Sequence, residues 1–214
     1  MFPQALIPVA FIAFTVGVVA LAITLGLRQQ RKSLEALTAL AARLGLELRR
    51  QPAKFGFEPT PTVEGRHRNR GVRFFSYTTG SGKSRTSWIA VTAAVNGGAG
   101  FSLDLYPENF IYRIATALGM QDIKVNDPAF DPAFIVKSND PAYAAAALLP
   151  EIRTRLLDER QHGAHGHLSV KNGEVRYAEI GSFSEQNRTD RLARMLESAC
   201  DLAEVAEVYQ RTHS

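Results

Sequence analysis

The chain has 214 residues, of which 45% are hydrophobic and 21% are charged, a balance typical of a folded protein rather than a disordered one. Its formal net charge of +4 arises in residues 28–54, which carry seven basic and two acidic side chains, while the remainder is close to neutral. A near-neutral body lacks the basic face that duplex binding requires, so no nucleic-acid partner is expected.

The first feature along the chain is an uncharged run, ALIPVAFIAFTVGVVALAITLGL, at residues 5–27. An α-helix of about 20 apolar residues crosses a hydrocarbon core of roughly 30 Å, so this run predicts a transmembrane anchor within residues 1–27. A cleavable signal peptide is the alternative, because Ala20-Leu21-Ala22 resembles a cleavage site. However, the positive charges follow the apolar run instead of preceding it, which favours an uncleaved signal-anchor.

The same charge asymmetry predicts the orientation. Basic residues beside a span remain preferentially in the cytoplasm. We therefore expect a single-pass inner-membrane protein with its N-terminus outside and an α+β domain, residues 55–214, in the cytoplasm. The lipid bilayer is the expected partner, and the basic residues predicted to meet its surface are Arg28, Arg31, Lys32, Arg43, Arg49 and Arg50.

Residues 28–54 are predicted to form a basic amphipathic juxtamembrane helix and a linker. Leucines recur at three- and four-residue spacings between Leu34 and Leu44, Ser33 suits the N-cap, and Gly45 suits the helix end. The helix can lie on anionic headgroups, or its leucine stripe can pack on the domain, and both arrangements can hold together.

From Thr62 to Tyr106 the chain changes to four short extended runs with alternating polarity. The first turn is predicted at Asn69-Arg70-Gly71, and the four runs together indicate an antiparallel meander. Residues 108–120 are then predicted to form a helix that ends at Gly119.

A second set of elements begins with a short strand at residues 133–137. Asp140 is predicted to cap one long helix from Pro141 to about Gln161. A hairpin is expected about Lys171-Asn172-Gly173. The last helix is expected to be capped by Thr189 or Asp190, and its single cysteine, Cys200, is expected to pack in the core.

These elements predict an α+β fold, with an antiparallel sheet of about four meandering strands plus the later hairpin, and helices packed on one face. The run Gly80-Ser-Gly-Lys-Ser84 resembles part of a phosphate-binding loop, but the first glycine of that motif would fall at Tyr77. Extended runs also flank it on both sides, so we expect a hairpin turn and no nucleotide at Gly80–Ser84.

Two further groups of residues are candidate sites. His162, His165 and His167 could bind a metal ion, although no second set of ligands accompanies them. Arg66 and Arg68, at alternate strand positions, could meet anionic lipid or an acidic partner, or could simply be solvated.

Acidic residues offer no recognisable catalytic set. An enzyme would require at least two of Asp104, Asp131 and His167 to converge in a deep pocket. Asp131 is instead expected to accept hydrogen bonds from backbone amides of its turn. No catalytic residue, metal site or cofactor is therefore predicted.

The stretch Asn126-Asp-Pro-Ala-Phe130-Asp-Pro-Ala-Phe134-Ile-Val-Lys-Ser138-Asn-Asp140-Pro141 resembles a motif of a group of bacterial membrane-anchored proteins with no assigned activity. That motif contains Phe-Asp-x-x-Phe-x-Val-x-Ser-x-Asp-Pro ahead of a leucine-rich helix, and the group also shares the run YTTGSGKSRT. The resemblance covers most of residues 31–160 and implies topology and fold, but no activity.

The sequence thus favours a non-enzymatic binding or scaffolding module on the cytoplasmic membrane face, with a protein partner still to be identified. One alternative is a membrane-associated hydrolase or ligand-processing enzyme with an unrecognised site. The other alternative is a lipid-contacting regulatory domain.

Overall fold

The computed structural model describes residues 6–52, 59–97, 100–108 and 121–213. Within these ranges the chain forms four α-helices and nine β-strands. In chain order they are α1 (Leu6–Leu44), β1 (Glu47–Arg49), β2 (Thr62–His67), β3 (Arg70–Thr79), β4 (Thr86–Ala94), β5 (Leu103–Pro107), β6 (Gln121–Ile123), β7 (Phe134–Ser138), α2 (Pro141–Ala147), α3 (Pro150–Gln161), β8 (His167–Lys171), β9 (Glu174–Ile180) and α4 (Gln186–His213). The helix predicted over residues 108–120 lies outside the described residues beyond Glu108.

The described strands form one antiparallel sheet in the order β1-β2-β3-β4-β9-β8-β5-β7-β6. The predicted α+β class is confirmed, but the sheet is larger than a four-strand meander with a hairpin. The first three predicted runs are neighbours, as expected, whereas β5 pairs with β7 and β8 instead of β4. The β8–β9 hairpin lies between β4 and β5, because β9 pairs with β4 along the whole length of β9.

Residues with positive φ set the hairpin turns. Arg68 and Asn69, at φ 49° and 61°, close the β2–β3 hairpin, so the turn predicted at residues 69–71 was placed too late and Arg70 already belongs to β3. Asn172 and Gly173, at φ 52° and 74°, close the β8–β9 hairpin as predicted. In both hairpins two consecutive positive φ values match the twist of the flanking strands.

The Gly80–Ser84 run lies at the tip of the β3–β4 hairpin, where a single 3₁₀ turn covers Gly82–Ser84. Gly80 has φ 78°, and a Cβ there would lie 2.3 Å from the carbonyl oxygen of Ser84. Only glycine fits so close a backbone approach, so the tight turn explains this residue.

The long helix predicted from Pro141 to Gln161 is two helices, α2 and α3. The chain breaks between them because Pro150 has no amide hydrogen to donate and disfavours the helical conformation for the residue before it. The predicted cap is confirmed, since the Asp140 carboxylate accepts a 3.0 Å hydrogen bond from the Tyr143 amide.

α4 begins at Gln186, before the predicted caps Thr189 and Asp190. The prediction placed the helix start too late because the repeating apolar residues begin only at Leu192. Thr189 is instead buried within the first turns, and its hydroxyl donates to the carbonyl of Phe183 at 3.3 Å.

The core lies on the face of the sheet that the helices cover, as predicted. α4 contacts β4 and β9, and α1, α2 and α3 contact α4. Leu192 and Leu196 of α4 are fully buried, as are Phe74 and Ile89 of the sheet. Cys200 is buried among them, and this burial raises the pKa of its thiol to about 11, consistent with the predicted packing role.

α1 continues without a break from the predicted anchor into the predicted amphipathic helix. It ends at Leu44, and Gly45 follows with φ 65° while the Leu46 amide donates to the Ala41 carbonyl at 2.9 Å. A glycine in this conformation is a common helix terminator, so the predicted end is confirmed. The residues directly after Gly45, ahead of the predicted linker, then contribute β1 to the sheet edge.

Candidate functional site

α1 has two halves with different surroundings. Every residue from 14 to 32, the exposed half, is exposed, whereas residues 33–44, the docked half, place Leu37 and Leu40 in the core. The large apolar side chains of the exposed half are between 50% and 70% exposed: Phe14, Val16, Val18, Val19, Leu21, Ile23, Leu25 and Leu27. Within the part of the chain that the structure describes, no helix is both long enough and apolar enough to cross a membrane.

The six basic residues predicted at the membrane surface have different partners. Three form ion pairs at 2.6–2.9 Å: Arg31 with Glu35, Arg43 with Asp190, and Arg49 with Glu64. The other three, Arg28, Lys32 and Arg50, are exposed and make no ion pair with a described residue. Of these three, Arg28 and Lys32 lie on α1, and Arg50 follows β1 at the edge of the sheet, where α1 contacts the domain.

A cavity of about 550 Å³ lies at this point, between α1 and the ends of β3 and β4. We call it the junction cavity. Hydroxyl and amide side chains form the polar part of its wall, among them Gln29, Gln30, Ser33, Ser76, Thr78 and Ser182. Arg31 and Arg50 lie at the same wall, and none of the described lining residues is acidic.

The polar floor of the junction cavity follows from strand alternation. Ser76 and Thr78 continue the row of Phe74, because alternate residues of a strand share one face. Thr78 is opposite Ser87 of β4. The helix-covered face of the sheet therefore changes from a buried aromatic ring to hydroxyl groups where α1 leaves it.

The end of the cavity is closed by the segment between β9 and α4. The Ser33 hydroxyl of α1 lies 3.5 Å from the Ser182 hydroxyl, to which Ser184 donates at 3.1 Å. Gly181 has φ 155°, and a Cβ there would lie 2.7 Å from Cδ of Arg188. The glycine thus lets Arg188 reach the Ile180 carbonyl, which fixes this segment beneath α1.

Asp104 and His167 meet across β5 and β8. The imidazole Nε2 of His167 lies 2.9 Å from Oδ1 of the buried Asp104 carboxylate. The ring of Tyr106 stacks on this imidazole, with 4.3 Å between the ring centroids. Burial alone would raise the pKa of Asp104, but His167 and Lys171 outweigh it and leave that pKa below its ordinary value.

Asp131 lies elsewhere and accepts a 3.0 Å hydrogen bond from the Val125 amide, a backbone partner as expected. Two of the three residues named for an enzyme therefore converge, but neither Asp104 nor His167 lines the junction cavity. Their contact joins β5 and β8 of the sheet.

The other histidines have separate surroundings. His162, directly after α3, lies near Asp158 of that helix, with 3.5 Å between Nδ1 and Oδ1, and His165 is exposed. His167 faces Asp104 instead. No group of three potential ligands suited to a metal ion occurs among the described residues.

Sequence reasoning missed an acidic stripe on α4, although Glu197, Asp201, Glu204 and Glu207 recur at three- and four-residue spacings. The partners of this stripe come from other elements. Arg68 lies in the β2–β3 turn and donates to Asp201 at 2.7 Å and to Glu204 at 2.8 Å, so the face that it was expected to share with Arg66 does not form. Buried Arg70 donates to Glu207 at 2.7 Å. The acidic partner of the β2–β3 hairpin is thus α4 of the same chain.

A buried ion pair also escaped sequence reasoning. Arg191 donates to Glu179 at 2.9 and 3.1 Å, and the Tyr177 hydroxyl donates to the same carboxylate at 2.8 Å. The remaining guanidinium nitrogen donates to the His162 carbonyl at 3.1 Å. A buried pair satisfied in this way fixes the packing of α4 on β9, and removing one partner would be strongly destabilising.

The fold and these contacts define an α+β domain whose helix-covered face ends in a hydroxyl-lined cavity below an exposed apolar helix. No protein-family model matches the chain, and no curated protein matches it. Among solved structures, the chain is similar to the crystal structure of the mycobacterial trehalose monomycolate transport factor A, TtfA, with a TM-score of 0.55. The two chains are 12% identical, with 82% of this chain and 94% of that chain covered, a likeness of fold alone.

Proposed function

We propose that the chain is a non-enzymatic binding module held at the cytoplasmic face of a membrane by the apolar part of α1. The observation that carries this proposal is the exposed half, whose large apolar side chains are each at least half exposed. Apolar surface beyond a few hundred Å² marks a lipid or protein partner in a soluble domain. The sequence from residue 5 to residue 27 has no charge, which favours lipid.

The cations at the end of the apolar run support the orientation. Arg28 and Lys32 are exposed immediately after it, where the phosphates of a cytoplasmic leaflet would meet them. The docked half then holds the domain close to the surface, because Leu37 and Leu40 are buried in it.

The likeness to TtfA supports a role alongside lipid rather than in catalysis. That protein is described as a transport factor for trehalose monomycolate, and the fold is shared. We extend this to the present chain as an accessory factor that contacts an amphiphilic lipid at the membrane. The residues of the enzyme hypothesis do not support the alternative, because Asp104 and His167 lie away from the junction cavity.

Flotation of the full chain, synthesised in the presence of lipid vesicles, tests the membrane proposal. We expect the chain to float with the vesicles after high-salt and carbonate washes, because apolar insertion does not depend on screened charges. Recovery of the chain in the unbound fraction after either wash would contradict it.

Sidedness is tested with one surface cysteine. In a Cys200→Ser chain, Lys83→Cys places a thiol at the exposed hairpin tip. We expect a membrane-impermeant maleimide to label it only after the cells are opened. Labelling in intact cells would contradict the cytoplasmic orientation.

A further inference from the structure

We infer that the junction cavity binds the phosphate headgroup of an anionic phospholipid. The inference rests on the proposed function, which places this end of the domain at a membrane surface. The volume of the junction cavity, about 550 Å³, lies in the range of small-molecule sites.

The position of the cavity matches the level of the headgroups. Residues of α1 between Gly26 and Leu34 contribute to its wall, at the end of the apolar run and directly after it. With a rise of about 1.5 Å per residue, Ser33 lies roughly 10 Å beyond Leu27 along the helix. A lipid beside the exposed half would thus have its phosphate near the mouth of the cavity.

The chemistry of the wall favours phosphate over a neutral headgroup. The hydroxyls of Ser33, Ser76 and Thr78 can donate to an anionic oxygen, and guanidinium groups only donate. Arg31 and Arg50 therefore suit a ligand that accepts hydrogen bonds, as phosphate does. No described residue of the wall is acidic, and the carboxylate of Glu35 lies outside the wall, paired with Arg31.

The ion pair of Arg31 does not prevent this role. Arg31 and Glu35 are 82% and 62% exposed, and a pair so exposed contributes little free energy. The guanidinium can therefore exchange the carboxylate for a phosphate. Leu27, Pro61 and Phe183 add an apolar part to the wall, which suits the first carbons beyond a lipid phosphate.

Calorimetric titration of the full chain tests the inference. The chain is held in a polyoxyethylene detergent, which has neither phosphate nor sugar, and dihexanoyl phosphatidylglycerol is added. We expect saturable binding that the double variant Arg31→Gln, Arg50→Gln weakens by at least about tenfold, because two charge-assisted hydrogen bonds are lost. The charge-matched control Lys124→Gln, Arg211→Gln, with both residues exposed and outside the cavity wall, should bind as the unmodified chain does.

A second variant tests the hydroxyl wall without a change of charge. Ser76→Ala with Thr78→Val, at two wall positions that are partly or fully exposed, should also weaken binding at an unchanged thermal unfolding midpoint. Equal affinity of the arginine variant and its control would overturn the inference. So would inorganic phosphate binding as tightly as the lipid, which would assign the site to free phosphate, or preferential binding of a short alkyl glucoside.

The two proposals fail separately. Titration in detergent does not require insertion, so specific lipid binding by a chain that does not float would contradict the membrane anchor alone. Flotation without specific binding would contradict the headgroup site alone.

Discussion

The two halves of α1 share one helix but not one environment. The docked half alternates buried and exposed positions, so that Leu37 and Leu40 enter the core while Thr38 and Arg43 face outward. The exposed half has no polar face between residues 14 and 27 apart from Thr15 and Thr24. The hydroxyl of Thr24 donates to the Leu21 carbonyl at 2.8 Å, so it needs no other partner.

The difference teaches that helix formation and helix burial are independent here. An amphipathic stripe identifies a helix that packs on a domain in water. A helix that is apolar on all sides is stable only where its whole surface leaves water. The predictions below act on one half at a time, in order of decreasing effect.

The largest effect is expected from charge in the exposed half. Val18→Lys with Leu21→Lys should remove the chain from membranes, because each lysine in the middle of an apolar span costs about 2.5–3.5 kcal/mol on insertion scales. Carbonate extraction measures the bound fraction. The thermal unfolding midpoint should stay unchanged, and retention of the variant in the membrane would contradict the assignment of this half to lipid.

A truncation in the docked half should destabilise the fold instead. Leu37→Ala removes a fully buried side chain, and such cavities cost about 2–5 kcal/mol in the free energy of unfolding. Urea denaturation of the full chain in detergent measures the loss. The matched control Thr38→Ala, at an exposed position, should change the free energy by no more than about 0.5 kcal/mol. Equal effects of the two variants would show that this half is not docked.

Acid should weaken α4, which supports only the docked half. Burial alone would raise the pKa of Glu207, but the Asn96 amide and the Arg70 guanidinium outweigh it and leave that pKa below its ordinary value of 4.5. The stabilisation is therefore present above the unfolded pKa and is lost as pH falls through the lower folded value.

Glu207→Gln tests this pH dependence. It should cost about 1–3 kcal/mol at neutral pH, since Arg70 is buried and loses a charged partner, and should flatten the stability profile below pH 5 or so. Denaturation midpoints across that range measure both. An unchanged slope would contradict the ion pair.

The smallest effect is expected from the ion pair between the docked half and α4. Arg43 is half exposed, and exposed pairs contribute about 0.2–1 kcal/mol. Arg43→Gln should lower the free energy of unfolding by no more than this. Denaturation in low and high salt should show the difference between the two chains shrinking as salt screens the pair.

Local signals in the sequence were sufficient for several elements. Asn172-Gly173 and the Asp140 cap act through their own backbone neighbours, so their structures followed from their identities. Pro150 also carried a signal, since a proline nine residues after the predicted helix start at Pro141 favours a break. The apolar pattern on both sides concealed it.

Long-range contacts could not be derived in the same way. The pairing of β9 with β4 joins residues that are 80 to 92 positions apart, and no local residue pattern specifies it. The junction cavity has the same origin, because Ser33, Ser76 and Ser182 are ordinary polar residues until the sheet and α1 bring them together. Sequence reasoning identified the basic residues Arg31 and Arg50 of the cavity wall but not its hydroxyl and amide residues.

The most direct test of the account is the environment of single spin labels along α1. Labels at Val16, Val19 and Ile23, in the Cys200→Ser chain reconstituted into vesicles, should collide with oxygen more often than with a water-soluble nickel complex. A label at Thr38 should show the reverse. Ready access of the nickel complex to all four positions would contradict the claim that the exposed half lies in lipid while the docked half holds the domain at the surface.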